Sequence, residues 1–195
     1  MSQASTASAS FSAATAPSAK ISPAKLAHLV FRTPRYEQMV SWYCTVLEAS
    51  IVFADAMLTF ITYDDEHHRA AFVNLPQLTD LDPMAAGVDH VAFTYASLGD
   101  LLHTWERLRA AGIEPVWCIN HGPTTSMYYR DPDGTRVELQ IDNFPGHEEL
   151  DAWFHSGAFA RNPIGVEFDP SVLAERWRAG VPVEELVRQG STNAR

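Results

Sequence analysis

Residues 25–32 read KLAHLVFR and residues 89–95 read DHVAFTY, and laying AHLVF over DHVAF puts His28 on His90. Both stretches lead into the same order of elements. After the first comes a stretch opened by Pro34, with Met39, Trp42, Tyr43, Val46 and Leu47 on one helical face, and then three runs of β character at 51–53, 58–62 and 69–75. After the second come the helical GDLLHTWERLRAAG (99–112), the strand-like EPVWCI (114–119) and TSMYYRD (125–131), the turn PDG (132–134) and the strand TRVELQID (135–142). The chain thus carries one βαβββ module twice, at 24–80 and 87–144, joined by the linker LDPMAAG (81–87). The expected class is α+β, the paired modules forming an open, cup-shaped sheet around a site. Aligning the last strands, HHRAAFVNL over GTRVELQID, places Ala71 opposite Glu138.

Alternation along a strand assigns faces. In VELQID, Val137, Leu139 and Ile141 point one way and Glu138, Gln140 and Asp142 the other. In DHVAFTY, Val91, Phe93 and Tyr95 oppose His90, Ala92 and Thr94; by the repeat, His28 opposes Ala27, Leu29 and Phe31. The apolar sides pack on helices and the other sides carry two imidazoles and a carboxylate. Any one of these alone reads as a satisfied histidine or a surface acid. Together, two histidines and one carboxylate with coordination positions left over suit non-haem iron and oxygen chemistry. The fourth equivalent position is Ala71, which cannot bind a metal and so leaves room for substrate.

The flanks differ in character. Residues 1–23 are rich in Ser, Ala and Thr with almost nothing large and apolar, and are expected to be a disordered tail. Residues 145–195 are expected to form a helical extension with two short helices, the first opened by Asp169 and Pro170 and closed by Gly180. Trp153, Phe154 and Phe159 precede them and require burial, either over the mouth of the cavity or against a second subunit.

A formal net charge of -10 argues against a grip on nucleic acid or an anionic membrane. With 46% hydrophobic residues there is enough apolar material for a core, yet no run approaches the roughly 18 residues of a membrane span. No secretory signal is evident at the N-terminus, and the cytoplasm is the expected location. Cys44 and Cys118 lie in no metal or redox spacing and are expected reduced and buried.

The duplicated module, with HLVF, DHVAF, HHRAAF and HGPTTSMYYRDPDGTRVELQ, resembles the vicinal oxygen chelate superfamily, and within it the type I extradiol catechol dioxygenases, over residues 24–144. The resemblance implies that His28, His90 and Glu138 bind Fe(II), with Mn(II) the alternative, and that His68, second of its pair, is the acid–base group. It implies that Tyr128, ten positions before Glu138, hydrogen-bonds a catechol oxygen, and it makes His121 a further active-site histidine. His67 is expected to be solvated; His103, His147 and His155 fit no shared motif. Phe72, Trp117 and Met127 are the expected pocket walls, favouring an aromatic or bicyclic diol such as 2,3-dihydroxybiphenyl, with O2 as co-substrate. Many relatives carry two such paired-module domains; this chain has one and is expected to form a homo-oligomer. Two rivals remain: a glyoxalase-type lyase or isomerase, which usually takes a fourth protein ligand, and a metal-free small-molecule-binding protein.

Overall fold

The computed structural model describes residues 21–192. The expected tail at 1–23 falls, apart from residues 21–23, outside the described residues.

The first module runs β1 (Leu29–Thr33), α1 (Tyr36–Leu47), β2 (Ser50–Ala54), β3 (Leu58–Thr62) and β4 (Ala70–Asn74). The second runs β5 (His90–Thr94), α2 (Leu98–Ala110), β6 (Trp117–Asn120), β7 (Thr124–Arg130) and β8 (Arg136–Asp142). Each makes its own open sheet, in the orders β1-β4-β3-β2 and β5-β8-β7-β6, with the first strand at a free edge in both. β1 pairs with β4 in parallel and β5 with β8 in parallel, the remaining ladders being antiparallel. This is the duplicated α+β architecture expected from the sequence, built as two sheets that share no ladder.

Each sheet buries the face that alternation assigns to the helices. Ile61, Ala70 and Phe72 of the first sheet pack with Met39, Tyr43 and Val46 of α1. Met127, Tyr129, Val137 and Leu139 of the second pack with Leu101, Leu102 and Leu108 of α2, and all belong to one continuous core. Each such side chain stabilises the fold by about 1.5–3 kcal/mol on full burial. Ser97 caps α2, its hydroxyl accepting from the Asp100 N–H at 3.1 Å. Glu48 ends α1 in the left-handed region at φ 49°.

Polar ties lock the modules together. Tyr43 donates to the Asp131 carboxylate at 3.1 Å, and Arg35 reaches Asp133 at 3.0 Å. Arg107 donates to the carbonyls of Thr45 and Val46 at the end of α1. Burial raises the pKa of Asp131 above the ordinary carboxylate range, and burial with Asp131 beside it raises that of Tyr43. Cys44 and Cys118 are free and half-buried; burial pushes the Cys118 thiol up to about 12.

The extension is richer than two helices. It contains α3 (His147–His155), α4 (Ala158–Arg161), the two-residue β9 (Val166–Glu167), α5 (Pro170–Arg178) and α6 (Val183–Leu186). β9 adds antiparallel to β6 and makes the second sheet five-stranded. Asp169 caps α5 by accepting from the Ser171 N–H at 2.8 Å. Of the aromatics expected to be buried, Trp153 packs over Gly122, whereas Phe154 and Phe159 stay 42% and 41% exposed and pack on each other at 5.5 Å.

Candidate active site

A row of side chains crosses the second sheet on the face away from α2. The register sets Ala92 beside Glu138, Glu138 beside Tyr128, and Tyr128 beside Trp117. Directly paired residues share a face, and His90, two residues before Ala92, shares it too. His90 Nε2 lies 3.0 Å from Glu138 Oε2, and its ring meets Tyr128 edge-on at 5.3 Å. Glu138 and Tyr128 are both buried, while the His90 side chain is about a third exposed.

The orientation of His90 is set from behind. Its Nδ1 is 2.7 Å from the carboxylate of Asp89, which also pairs with Arg136. The hydrogen bond from His90 and the Arg136 guanidinium hold the Asp89 carboxyl below the usual range. With Nδ1–H donated to Asp89, the Nε2 lone pair and a Glu138 oxygen converge from 3.0 Å apart. Two donors at right angles, each roughly 2.1 Å from a metal ion, lie about 3 Å apart, so this pair suits two adjacent coordination positions.

Tyr128 and His121 form the next layer. Ile164 offers its carbonyl to His121 Nδ1 at 2.5 Å, and a carbonyl only accepts, so Nδ1 carries the hydrogen. Nε2 is then an acceptor and takes the Tyr128 hydroxyl at 3.0 Å. Burial, then the Glu138 charge, raises the pKa of the Tyr128 hydroxyl, which keeps its proton and donates. Trp117 closes the row, its ring 5.0 Å from Tyr128 and 5.7 Å from His121, with its indole N–H held by Glu167 at 2.7 Å.

The first sheet gathers the remaining histidines. His28 immediately precedes β1, rather than lying inside the strand as expected, because the ladder begins at the Leu29–Ala70 pair. It stands 4.4 Å, ring to ring, from His68 and 6.5 Å from His67. His68 stacks on Phe60 at 4.3 Å and shares a 2.6 Å Nδ1–Nδ1 hydrogen bond with the exposed His67. Burial first, then His28 and His67, lowers the pKa of His68.

Two pocket assignments are corrected. Phe72 and Met127 are fully buried against the helices, Phe72 stacked on Phe31 at 5.4 Å and Met127 in the shared core. Alternation is the reason: Phe72 follows Ala71 and Met127 precedes Tyr128, so each takes the opposite face from its site-facing neighbour. Four contributors went unread in the sequence: Asp89, Phe60, Glu167 and the Ile164 carbonyl. Asp89 and Phe60 had a legible signal, one beside His90 in DHVAF and the other two residues from Leu58 on the site face. The other two belong to the extension, where no periodicity foretold β9.

The structure joins His90, Glu138, Tyr128, His121 and Trp117 in one cluster, and His28 with His68 in another. Among the described residues no three His, Cys, Asp or Glu side chains converge well enough to hold a metal ion. The full donor set of His28, His90 and Glu138 therefore does not fit a metal within one chain. A hollow of about 590 Å³ lies elsewhere, against α1 between Tyr36, Val40, Cys44, Ile51 and Thr59, and shares no residue with either cluster.

A duplicated βαβββ chain with a histidine–carboxylate pair on the face of one sheet away from its helix narrows the class to which it can belong. The model of the Glyoxalase/Bleomycin resistance protein/Dioxygenase superfamily matches residues 25–139, and the chain belongs to that superfamily. It is 48% identical over 163 residues to biphenyl-2,3-diol 1,2-dioxygenase 2 of Rhodococcus globerulus, covering 83% of this chain and 86% of that one. It is 45% identical over 164 residues to biphenyl-2,3-diol 1,2-dioxygenase 3 of the same organism, with the same coverage. A domain of the glyoxalase, bleomycin resistance and dioxygenase type from Frankia shares the fold with a TM-score of 0.53 at 18% identity, covering 67% of this chain and 99% of that one.

Proposed function

We propose that this chain is an extradiol dioxygenase that opens the ring of a catechol beside its two hydroxyls, with 2,3-dihydroxybiphenyl as substrate and O2 as co-substrate. The observation that carries the reading is the row His90–Glu138–Tyr128–Trp117, found in a chain 48% identical to a biphenyl-2,3-diol 1,2-dioxygenase. The ligand types of His90 and Glu138, which converge on the second sheet, would suit ferrous iron, with manganese as the alternative; His28, beside the first sheet with His68, does not converge with them in one chain. Bound there, the metal would bring diol and oxygen within bonding distance of each other.

The chain's own residues supply the rest. Tyr128, which keeps its proton and is anchored by His121, can hydrogen-bond a catechol oxygen beside Glu138. His121, its Nδ1–H fixed on Ile164, leaves Nε2 as the acceptor at the end of that path. Trp117 offers an aromatic wall along the row. His68, whose ring is aligned by Phe60, is the candidate to deliver or take a proton at the reacting oxygen. Among the described residues no helix is long and apolar enough to cross a membrane.

Anaerobic ferrous-loaded protein mixed with 2,3-dihydroxybiphenyl should form a yellow product only when oxygen is admitted, with oxygen consumed mole for mole. Absence of uptake across mono- and bicyclic catechols, with iron or manganese bound, overturns this reading.

A further inference from the structure

The row on the second sheet ends in an aromatic side chain that the extension holds from outside. Glu167 of β9 pairs with Ile119 of β6, and Trp117 stands two residues before Ile119 on the same face. Glu167 is therefore the diagonal neighbour of Trp117, a separation that long side chains bridge. Its carboxylate accepts the indole N–H at 2.7 Å. The Trp117 ring is held 5.0 Å from that of Tyr128 and tilted 34° to it, half-buried and so still open to a ligand.

The spacing along the row matches a bicyclic diol. Neighbouring strands lie about 4.8 Å apart, close to the separation of the two ring centres in a biphenyl. A diol ring placed between Glu138 and the Tyr128 hydroxyl thus brings a second ring one strand further on, over Trp117. In the other direction the row offers Ala92 and the His90–Asp89 pair, which give an apolar ring nothing to stack on. A monocyclic diol does not reach Trp117. A partly buried tryptophan keeps rotamer freedom that binding must freeze, and holding it beforehand removes that cost.

We infer that Glu167 is a specificity-determining positioning residue: by holding the Trp117 indole it presets a platform for the ring that is not cleaved, and so gives the site a preference for bicyclic over monocyclic diols. The inference rests on the dioxygenase reading for where the diol ring sits. It gives β9 a role separate from the hold of the Ile164 carbonyl on His121.

Oxygen uptake by ferrous-loaded protein, with 2,3-dihydroxybiphenyl and 3-methylcatechol as the two diols, tests this through the ratio of their kcat/KM values. Glu167→Ala should lower the preference for 2,3-dihydroxybiphenyl by roughly three- to tenfold, the scale of one aromatic stacking contact, with the loss carried by KM. Glu167→Gln, whose amide oxygen still accepts the indole N–H, should keep the preference. In a Trp117→Phe background, which has no N–H to hold, Glu167→Ala should change the ratio no further. Glu167 is exposed, and circular dichroism checks that each variant is folded. Equal losses on both diols, a fall in kcat alone, or a wild type without preference overturns the inference. Anaerobic titration of the same proteins with the two diols separates it from the reading on which it rests. Tighter binding of 2,3-dihydroxybiphenyl that Glu167→Ala abolishes, in a protein that consumes no oxygen, leaves the platform standing and overturns the dioxygenase reading instead.

Discussion

Tyr128 shows how far single residues could be read. The resemblance puts Tyr128 ten positions before Glu138, and the register pairs the two across the ladder; alternation alone gives the position of His90 on the face away from the helix. The same rule, applied one residue further, rejects Phe72 and Met127 as pocket walls, since each neighbours a site-facing residue and must point into the core. What alternation could not show is the support behind the row: Asp89 turning His90, and the Ile164 carbonyl selecting the His121 tautomer. Tyr128→Phe keeps the ring but removes the hydroxyl that His121 accepts. Steady-state kinetics on the iron-loaded variant should show kcat/KM down roughly a hundredfold, the usual scale for a positioned proton donor, with iron content unchanged. Loss of iron in step with activity would move Tyr128 from substrate handling to support of the metal ligands.

Among the elements, the paired strands and the two long helices come directly from the repeat and its periodicities, and Asp169–Pro170 marks the start of α5. The short strand β9 and the helices α3 and α4 were not legible, because their conformation is set by docking on the 120–123 loop. Two glycines make that docking close. A Cβ at Gly122 would stand 2.2 Å from the Trp153 ring, and one at Gly165 would stand 2.3 Å from the Asn120 carbonyl oxygen and 2.8 Å from the His121 Cα. Gly165 also has φ +115°, a left-handed conformation that side chains disfavour. Gly165→Ala should therefore lift the Ile164 carbonyl away from His121. The expected outcome is a lower melting temperature together with at least a several-fold fall in turnover, checked by calorimetry and oxygen uptake. A variant that melts lower yet turns over normally would mean that the extension stabilises the fold without holding His121.

At the scale of the whole molecule, one sequence pattern fixes two equivalent modules but not how they meet. The repeat aligns His28 with His90 without showing how their sheets are placed, since the helix-facing side chains are buried the same way in either placement. The structure supplies what the repeat lacks: one core joining both modules, two free edges, and donor groups on separate sheets. The expected open, duplicated α+β architecture is built as two open sheets, each with its polar side chains on the face away from its helix. Ferrous-loaded protein given 2,3-dihydroxybiphenyl under ¹⁸O2, quenched early and weighed by mass spectrometry, should yield a ring-opened phenyl dienoate carrying both labelled atoms, with the cleaved bond beside the hydroxyls. A product opened between the two hydroxyls, or one without oxygen from ¹⁸O2, would rule out extradiol cleavage by this protein.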